Sequence, residues 1–161
     1  KDNFAVESVS TVQKYVELAE ETYLLFTVKK YDEKIKQVDK NPRKVYCVDN
    51  GIIVKNTFTE RKGALLENII AVHLKRLGKE FYYYSNKQLE ADFVIPKDKT
   101  VIQSCLELTS ENTQREIKGL HKAMKQTKAK IGLILTLDQQ RPDIKEFVVK
   151  PAWEWMLETE K

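Results

Sequence analysis

The stretch LEADFVIPKDKTVIQSCLEL, residues 89–108, decides how the rest of the chain is read. Two runs rich in β-branched and aromatic residues, EADFVIP (90–96) and TVIQSCLELT (100–109), flank a polar segment headed by proline. That is the pattern of two strands joined by a turn. Side chains alternate faces along a strand. The rule predicts Ala91, Phe93 and Ile95 pointing into a core, with Asp92 and Val94 on the other face. On the second strand it puts Gln103, Cys105 and Glu107 on one face, opposite Ile102, Ser104, Leu106 and Leu108. Pairing through the turn then brings Asp92 beside Gln103 and Cys105.

Outward from this pair the order stays regular. EFYYYSN (80–86) reads as a further strand, and before it GALLENIIAVHLKRLG (63–78) is the strongest helical pattern in the chain, with Gly78 as its stop. On the other side NTQREIKGLHKAMKQTK (112–128) is a helix with Ile117, Leu120 and Met124 as its apolar stripe. KIGLILTLD (130–138) is apolar enough to be a central strand covered on both faces. EFVVK (146–150) is one more short strand, and PAWEWMLETE opens a closing helix with Pro151 at a permitted first-turn position. From residue 63 the order is therefore helix, three strands, helix, strand: an α/β core with a mixed sheet of four or five strands. Before it, Val12, Val16, Ala19 and Tyr23 recur at helical spacing behind Ser10 as N-cap. YLLFTVKKY (23–31) and KVYCVD (44–49) follow as strands across the polar loop DEKIKQVDKNPR, and Asn50-Gly51 is a turn signal. The chain divides there into residues 1–50 and 51–161.

Composition narrows the classes. Across 161 residues, 28 basic side chains nearly balance 24 acidic ones, leaving a net charge of +4. That permits a local basic surface without announcing nucleic-acid binding. Cys47 and Cys105, with no CxxC pair, argue against a disulfide framework or zinc cluster and point to a reducing, cytoplasmic compartment. No apolar run approaches the ~20 residues needed to span a bilayer, and no signal-peptide pattern opens the chain, so no membrane partner is expected. The chain starts at Lys1 without methionine, from which we expect a segment of a longer protein.

The polar residues near Asp92 suggest a chemistry. Hydrolysing a phosphodiester with Mg²⁺ or Mn²⁺ needs oxygen ligands, mostly carboxylates, and is helped by a lysine that orients water and offsets developing charge. Glu67, set among the apolar residues of LLENII, and Asp92 are the candidate metal ligands. Gln103 offers a neutral amide oxygen, a weaker ligand. Cys105 offers neither a hard oxygen nor a positive charge. Glu107, two residues further on the same face, is the replacement acid. The bland alternative is a half-buried polar cluster satisfied by hydrogen bonds. Lys118, Lys122 and Lys125, at i, i+4 and i+7 opposite the apolar stripe, are the candidate DNA contacts; a solvated helix face is the commoner meaning of such a pattern. Tyr82, Tyr83 and Tyr84 fit core and sheet surface better than base stacking, and His73 and His121 stand singly on helices.

The order helix–strand–strand–strand–helix–strand, with an acid on the helix and Asp92 on the second strand, resembles the PD-(D/E)xK restriction-endonuclease-like fold. KVYCVDNGI, GALLENIIAVHLKRLG, FYYYSNKQLEADFVI, IQSCLEL and PAWEWML more closely resemble the uncharacterised C-terminal domain of a prokaryotic family of AAA-type P-loop ATPases, with matches at Asp49, Gly63, Glu67, Glu90, Asp92 and Phe93. Many of that family read Glu-x-Lys where this chain has Gln103-Ser104-Cys105, a departure that removes one carboxylate and the lysine. The resemblance implies an upstream ATPase domain as partner and binder of ATP; this chain has no GxxxxGK[ST] loop. It also makes residues 1–50 the end of a winged-helix element, whose helix, carrying Glu17, Glu20 and Glu21, suits an interdomain contact better than DNA. The expected function is a degenerate, non-catalytic nuclease-like module that binds DNA or protein. The alternatives are a metal-dependent DNA endonuclease and a pure interaction or oligomerisation domain.

Overall fold

In a computed structural model that describes residues 8–32, 41–56, 61–86, 89–141 and 143–160, twelve elements follow one another. They are α1 (Val9–Glu21), β1 (Leu25–Lys29), β2 (Arg43–Cys47), α2 (Asn50–Asn56), α3 (Lys62–Arg76), β3 (Tyr82–Ser85), β4 (Glu90–Ile95), β5 (Thr100–Ser104), α4 (Thr113–Thr127), β6 (Ile131–Thr136), β7 (Val148–Pro151) and α5 (Ala152–Thr159). Among the described residues this is a mixed α/β arrangement of five helices and two sheets. None of the helices is long and apolar enough to cross a membrane.

The larger sheet has the order β3-β4-β5-β6-β7. Its first three strands form an antiparallel meander, and β6 and β7 add in parallel. The turn between β4 and β5 closes where the proline and lysines predict it, with Lys99 N–H donating to the Pro96 carbonyl at 3.1 Å. A parallel step needs a crossover, which α4 supplies between β5 and β6. β6 lies between two neighbours and contributes to the core on both sides, as its continuous apolar run requires.

Two apolar layers sandwich the sheet. On one face Leu66, Ile70 and Leu74 of α3 and Trp155 of α5 bury Phe93, Ile95, Ile102 and Leu135. Phe26, Val28 and Tyr46 of the β1–β2 ribbon join that layer. On the other face Leu120 and Ala123 of α4 cover Ala91, Val94, Val101 and Ile134. Gly119 lets α4 come close to β4: a Cβ there would stand 2.9 Å from the Glu90 carbonyl oxygen. Gly78 ends α3 at φ +65°, the left-handed conformation that makes glycine the usual helix stop.

Several local expectations shift. Ser8, not Ser10, caps α1, its hydroxyl accepting from Thr11 N–H at 3.3 Å. Asn50-Gly51, expected as a turn, opens the short helix α2. The loop between β1 and β2 lies largely outside the described residues. β5 stops at Ser104, five residues short of its predicted end: Cys105 N–H and the Leu106 carbonyl still bond the backbone of Leu135 and Leu137 at 3.0 and 3.1 Å, and beyond them side-chain amides take the backbone groups. Asn112 Nδ2 donates to the Glu107 carbonyl at 2.8 Å, and Gln139 Oε1 accepts from Leu108 N–H at 2.8 Å.

The largest departure is within β4. Tyr82 pairs with Val94 but Tyr84 pairs with Ala91, so two residues of β4, Asp92 and Phe93, oppose the single residue Tyr83. This β-bulge breaks the period-two alternation. Ala91 and Val94 both face α4, whereas Phe93 and Ile95 face α3. Asp92 is thereby turned to the α3 side, away from the face of Gln103 on which strict alternation would place it.

Candidate functional site

Glu67 and Asp92 meet on the α3 side of the sheet, and the group between them is a lysine. Lys44 of β2 extends its ammonium to Glu67 Oε1 at 2.8 Å and to Asp92 Oδ1 at 3.0 Å. Its path crosses the face of Tyr83, 5.6 Å from the ring centroid. The remaining partners are also donors. Tyr46 OH donates to Glu67 Oε1 at 2.7 Å. Ser104 donates twice to Asp92 Oδ2, through its N–H at 2.9 Å and its hydroxyl at 2.7 Å.

The secondary structure explains why these groups converge. Lys44 and Tyr46 are two apart on a strand and so share a face. Glu67 follows Leu66, which buries against the sheet, so its carboxylate emerges at the edge of that contact. Ser104 lies opposite Leu135 in the parallel pairing and faces α3 with it. The bulge supplies Asp92. Its side chain is 9% exposed, against 23% for Lys44 and for Glu67.

Electrostatics hold the cluster in its charged form. Burial alone would lower the pKa of the Lys44 ammonium, but Asp92 and Glu67 outweigh it and raise the pKa above the ordinary lysine value. Burial, and then the negative charge of Glu67, push the Tyr46 phenol far above its usual range, so it remains a donor. Two carboxylates against one ammonium leave one unit of negative charge, which the hydroxyls and the Ser104 N–H stabilise.

The other predicted residues do not join this cluster. Gln103 faces α4, where its Nε2 donates to Glu116 Oε2 at 2.9 Å while its Oε1 is buried without a protein partner. Glu116 is itself buried and is held on its other oxygen by Arg115 Nη2 at 2.7 Å. Cys105 lies past the end of β5, with its thiol donating to the Glu107 carbonyl at 3.1 Å. Burial and then the negative charge of Glu116 push that thiol up, away from nucleophilic reactivity. Glu107 is exposed beyond the strand and reaches neither carboxylate. Lys118, Lys122 and Lys125 stand exposed on the outer face of α4. Tyr83 and Tyr84 are buried on opposite sides of the sheet, so the tyrosine run is core and not a stacking platform.

Mg²⁺ and Mn²⁺ take an octahedral oxygen shell. Here two carboxylates are available, the amide of Gln103 is across the sheet, and an ammonium already lies between the acids. Among the described residues no group of three or more His, Cys, Asp or Glu side chains is placed to hold a metal. The residues do not fit a divalent ion. Sequence reasoning missed Lys44, Tyr46 and Ser104. The first two carry a weak signal, a lysine and a tyrosine at alternate positions of a strand, with Val45 and Cys47 on the positions between and after them. Ser104 carries none, since its role depends on the bulge.

The chain is similar to an uncharacterized protein of Methanocaldococcus jannaschii, 31% identical over 160 residues, which covers 91% of this chain and 36% of that protein. It is also similar to an uncharacterized protein of Haemophilus influenzae, 32% identical over 117 residues, covering 69% of this chain and 28% of that protein. The chain thus spans about a third of the length of these relatives. No solved structure matches it. Residues 62–155, from the start of α3 into α5, match the model of a domain of unknown function, DUF4143. The chain belongs to the DUF4143 family.

Proposed function

We propose that this chain is a non-catalytic module with a restriction-endonuclease-like core, joined to a P-loop ATPase elsewhere in a longer cytoplasmic protein and holding a partner for it. The observation that carries the non-catalytic reading is the Lys44 ammonium shared between Glu67 and Asp92. In a nuclease of this type the acids must hold a metal, and a third oxygen ligand must stand beside them. Here that strand position is Gln103, turned to the opposite face and committed to Glu116. The order α3-β3-β4-β5-α4-β6 supports the endonuclease-like core, and the length of the relatives supports a larger assembly. Residues 1–50, of which α1 and the ribbon are described, fit the end of a winged-helix element.

The test is incubation of the chain with supercoiled and single-stranded DNA in Mn²⁺, beside Asp92→Ala. We expect both to leave the DNA intact. Cleavage by the unaltered chain that disappears in the variant would establish an endonuclease with an altered site and end the non-catalytic reading. As for the partner, the exposed positions of Lys118, Lys122 and Lys125 favour a DNA backbone over a protein.

A further inference from the structure

Two carboxylates kept together without a reaction to perform call for a physical reason. Each loses hydration on burial, and two like charges held close repel each other. Such a pair persists only where a cation and hydrogen-bond donors satisfy it. The cation here is covalently part of the chain. Lys44 Nζ bonds both acids, 2.8 Å from Glu67 Oε1 and 3.0 Å from Asp92 Oδ1. The Tyr46 hydroxyl and both donors of Ser104 are aimed at the same two carboxylates.

We propose that Lys44 is a resident, tethered cation that takes the place of a divalent ion between Glu67 and Asp92, so that the chain binds no divalent ion there until the ammonium is removed. The inference rests on the non-catalytic reading and gives it a cause. The ribbon that carries Lys44 is anchored in the α3-side core through Phe26, Val28 and Tyr46, which keeps the ammonium close to the acids. Replacing it by methionine preserves an unbranched side chain and removes the charge. Asp92 Oδ1 is then freed and Glu67 Oε1 keeps only the Tyr46 hydroxyl, and Mg²⁺ and Mn²⁺ sites commonly consist of one or two carboxylates completed by water.

The experiment is a Mn²⁺ titration of the 161-residue chain, read by the thermal midpoint and by the electron paramagnetic resonance of free Mn²⁺. It is run on the unaltered chain, Asp92→Asn, Lys44→Met, and Lys44→Met with Asp92→Asn. The unaltered chain should neither shift nor deplete free Mn²⁺. Lys44→Met should gain roughly 5–10 °C when Mn²⁺ exceeds its Kd about a hundredfold, and the double variant should lose that gain. Folding of Lys44→Met only when Mn²⁺ is present supports the proposal equally. A shift in the unaltered chain that Asp92→Asn abolishes overturns it, because the metal then displaces the lysine. A folded Lys44→Met that ignores Mn²⁺ overturns it too, as does one unfolded with and without the ion, or a double variant that responds like the single one. Mn²⁺ binding by the unaltered chain without DNA cleavage would sink this inference and spare the non-catalytic reading; cleavage would strike at that reading directly.

Discussion

Asn68 shows how much a single side chain carries here. It is buried on α3, and its amide acts as an extra strand for the end of β2. Oδ1 accepts from Cys47 N–H at 2.9 Å, while Nδ2 donates to the Cys47 carbonyl at 2.8 Å and to Asn50 Oδ1 at 2.9 Å. Asn68→Ala strands both backbone groups of Cys47, so we expect a loss of about 2–4 kcal/mol in urea unfolding. A change under about 0.5 kcal/mol would mean that water replaces the amide. His73 is a second such residue. Burial beside Trp155 and Thr159 lowers its pKa from the ordinary value of 6.5; Glu160 pulls the other way, and the positive charge of Arg76 adds to the lowering. The unfolded chain then binds the proton more readily than the folded one. The stability His73 confers is complete above pH 6.5 and is lost as pH falls from there through the folded-state pKa. The urea midpoint should drop as pH falls below about 6.5, and less so in His73→Gln. An equal drop in the variant would assign it to other groups.

At the scale of elements, periodicity was a good guide to what forms and a poor one to where it ends. The helical spacing in residues 63–78 and the apolar run at 130–138 identify α3 and β6 because burial demands those patterns. The path of the chain past β5 was not legible, since residues 107 and 108 are held by Asn112 and Gln139, partners 5 and 31 residues away from the backbone they bind. The seating of α4 depends on a close approach that the sequence marks only with Gly119. Alanine there would favour the helix by ~1 kcal/mol, but its Cβ would press on the Glu90 carbonyl, a backbone atom that cannot swing away. We expect Gly119→Ala to be destabilising by about 1–2 kcal/mol, the cost of overpacking exceeding the propensity gain. An increase in the urea midpoint would show that α4 can slide on the sheet.

At the scale of the whole molecule, two charged features of the described residues stand out: the paired Lys44, Glu67 and Asp92, and the outer face of α4 with Lys118, Lys122 and Lys125 exposed. If that face tracks phosphates, affinity for DNA falls steeply with salt, and changing the three lysines to glutamate abolishes binding. Milder changes to glutamine would flatten the slope of log K against log salt by about one per lysine. Binding that ignores salt would point to a protein partner. The candidate site was half legible at this scale. Glu67 and Asp92 could be named because a charge among apolar neighbours needs a reason. Their partner Lys44 could not, since it comes from a ribbon distant in sequence whose docking no local pattern encodes. The extra residue in β4 has a consequence for kinship. Which side of the sheet the aspartate serves is settled by counting residues between Ala91 and Val94, not by their kind. A cousin shorter by one there would carry almost the same letters and aim its acid at Glu116. Likeness of motif in this family is therefore no warrant for likeness of chemistry until the count has been checked.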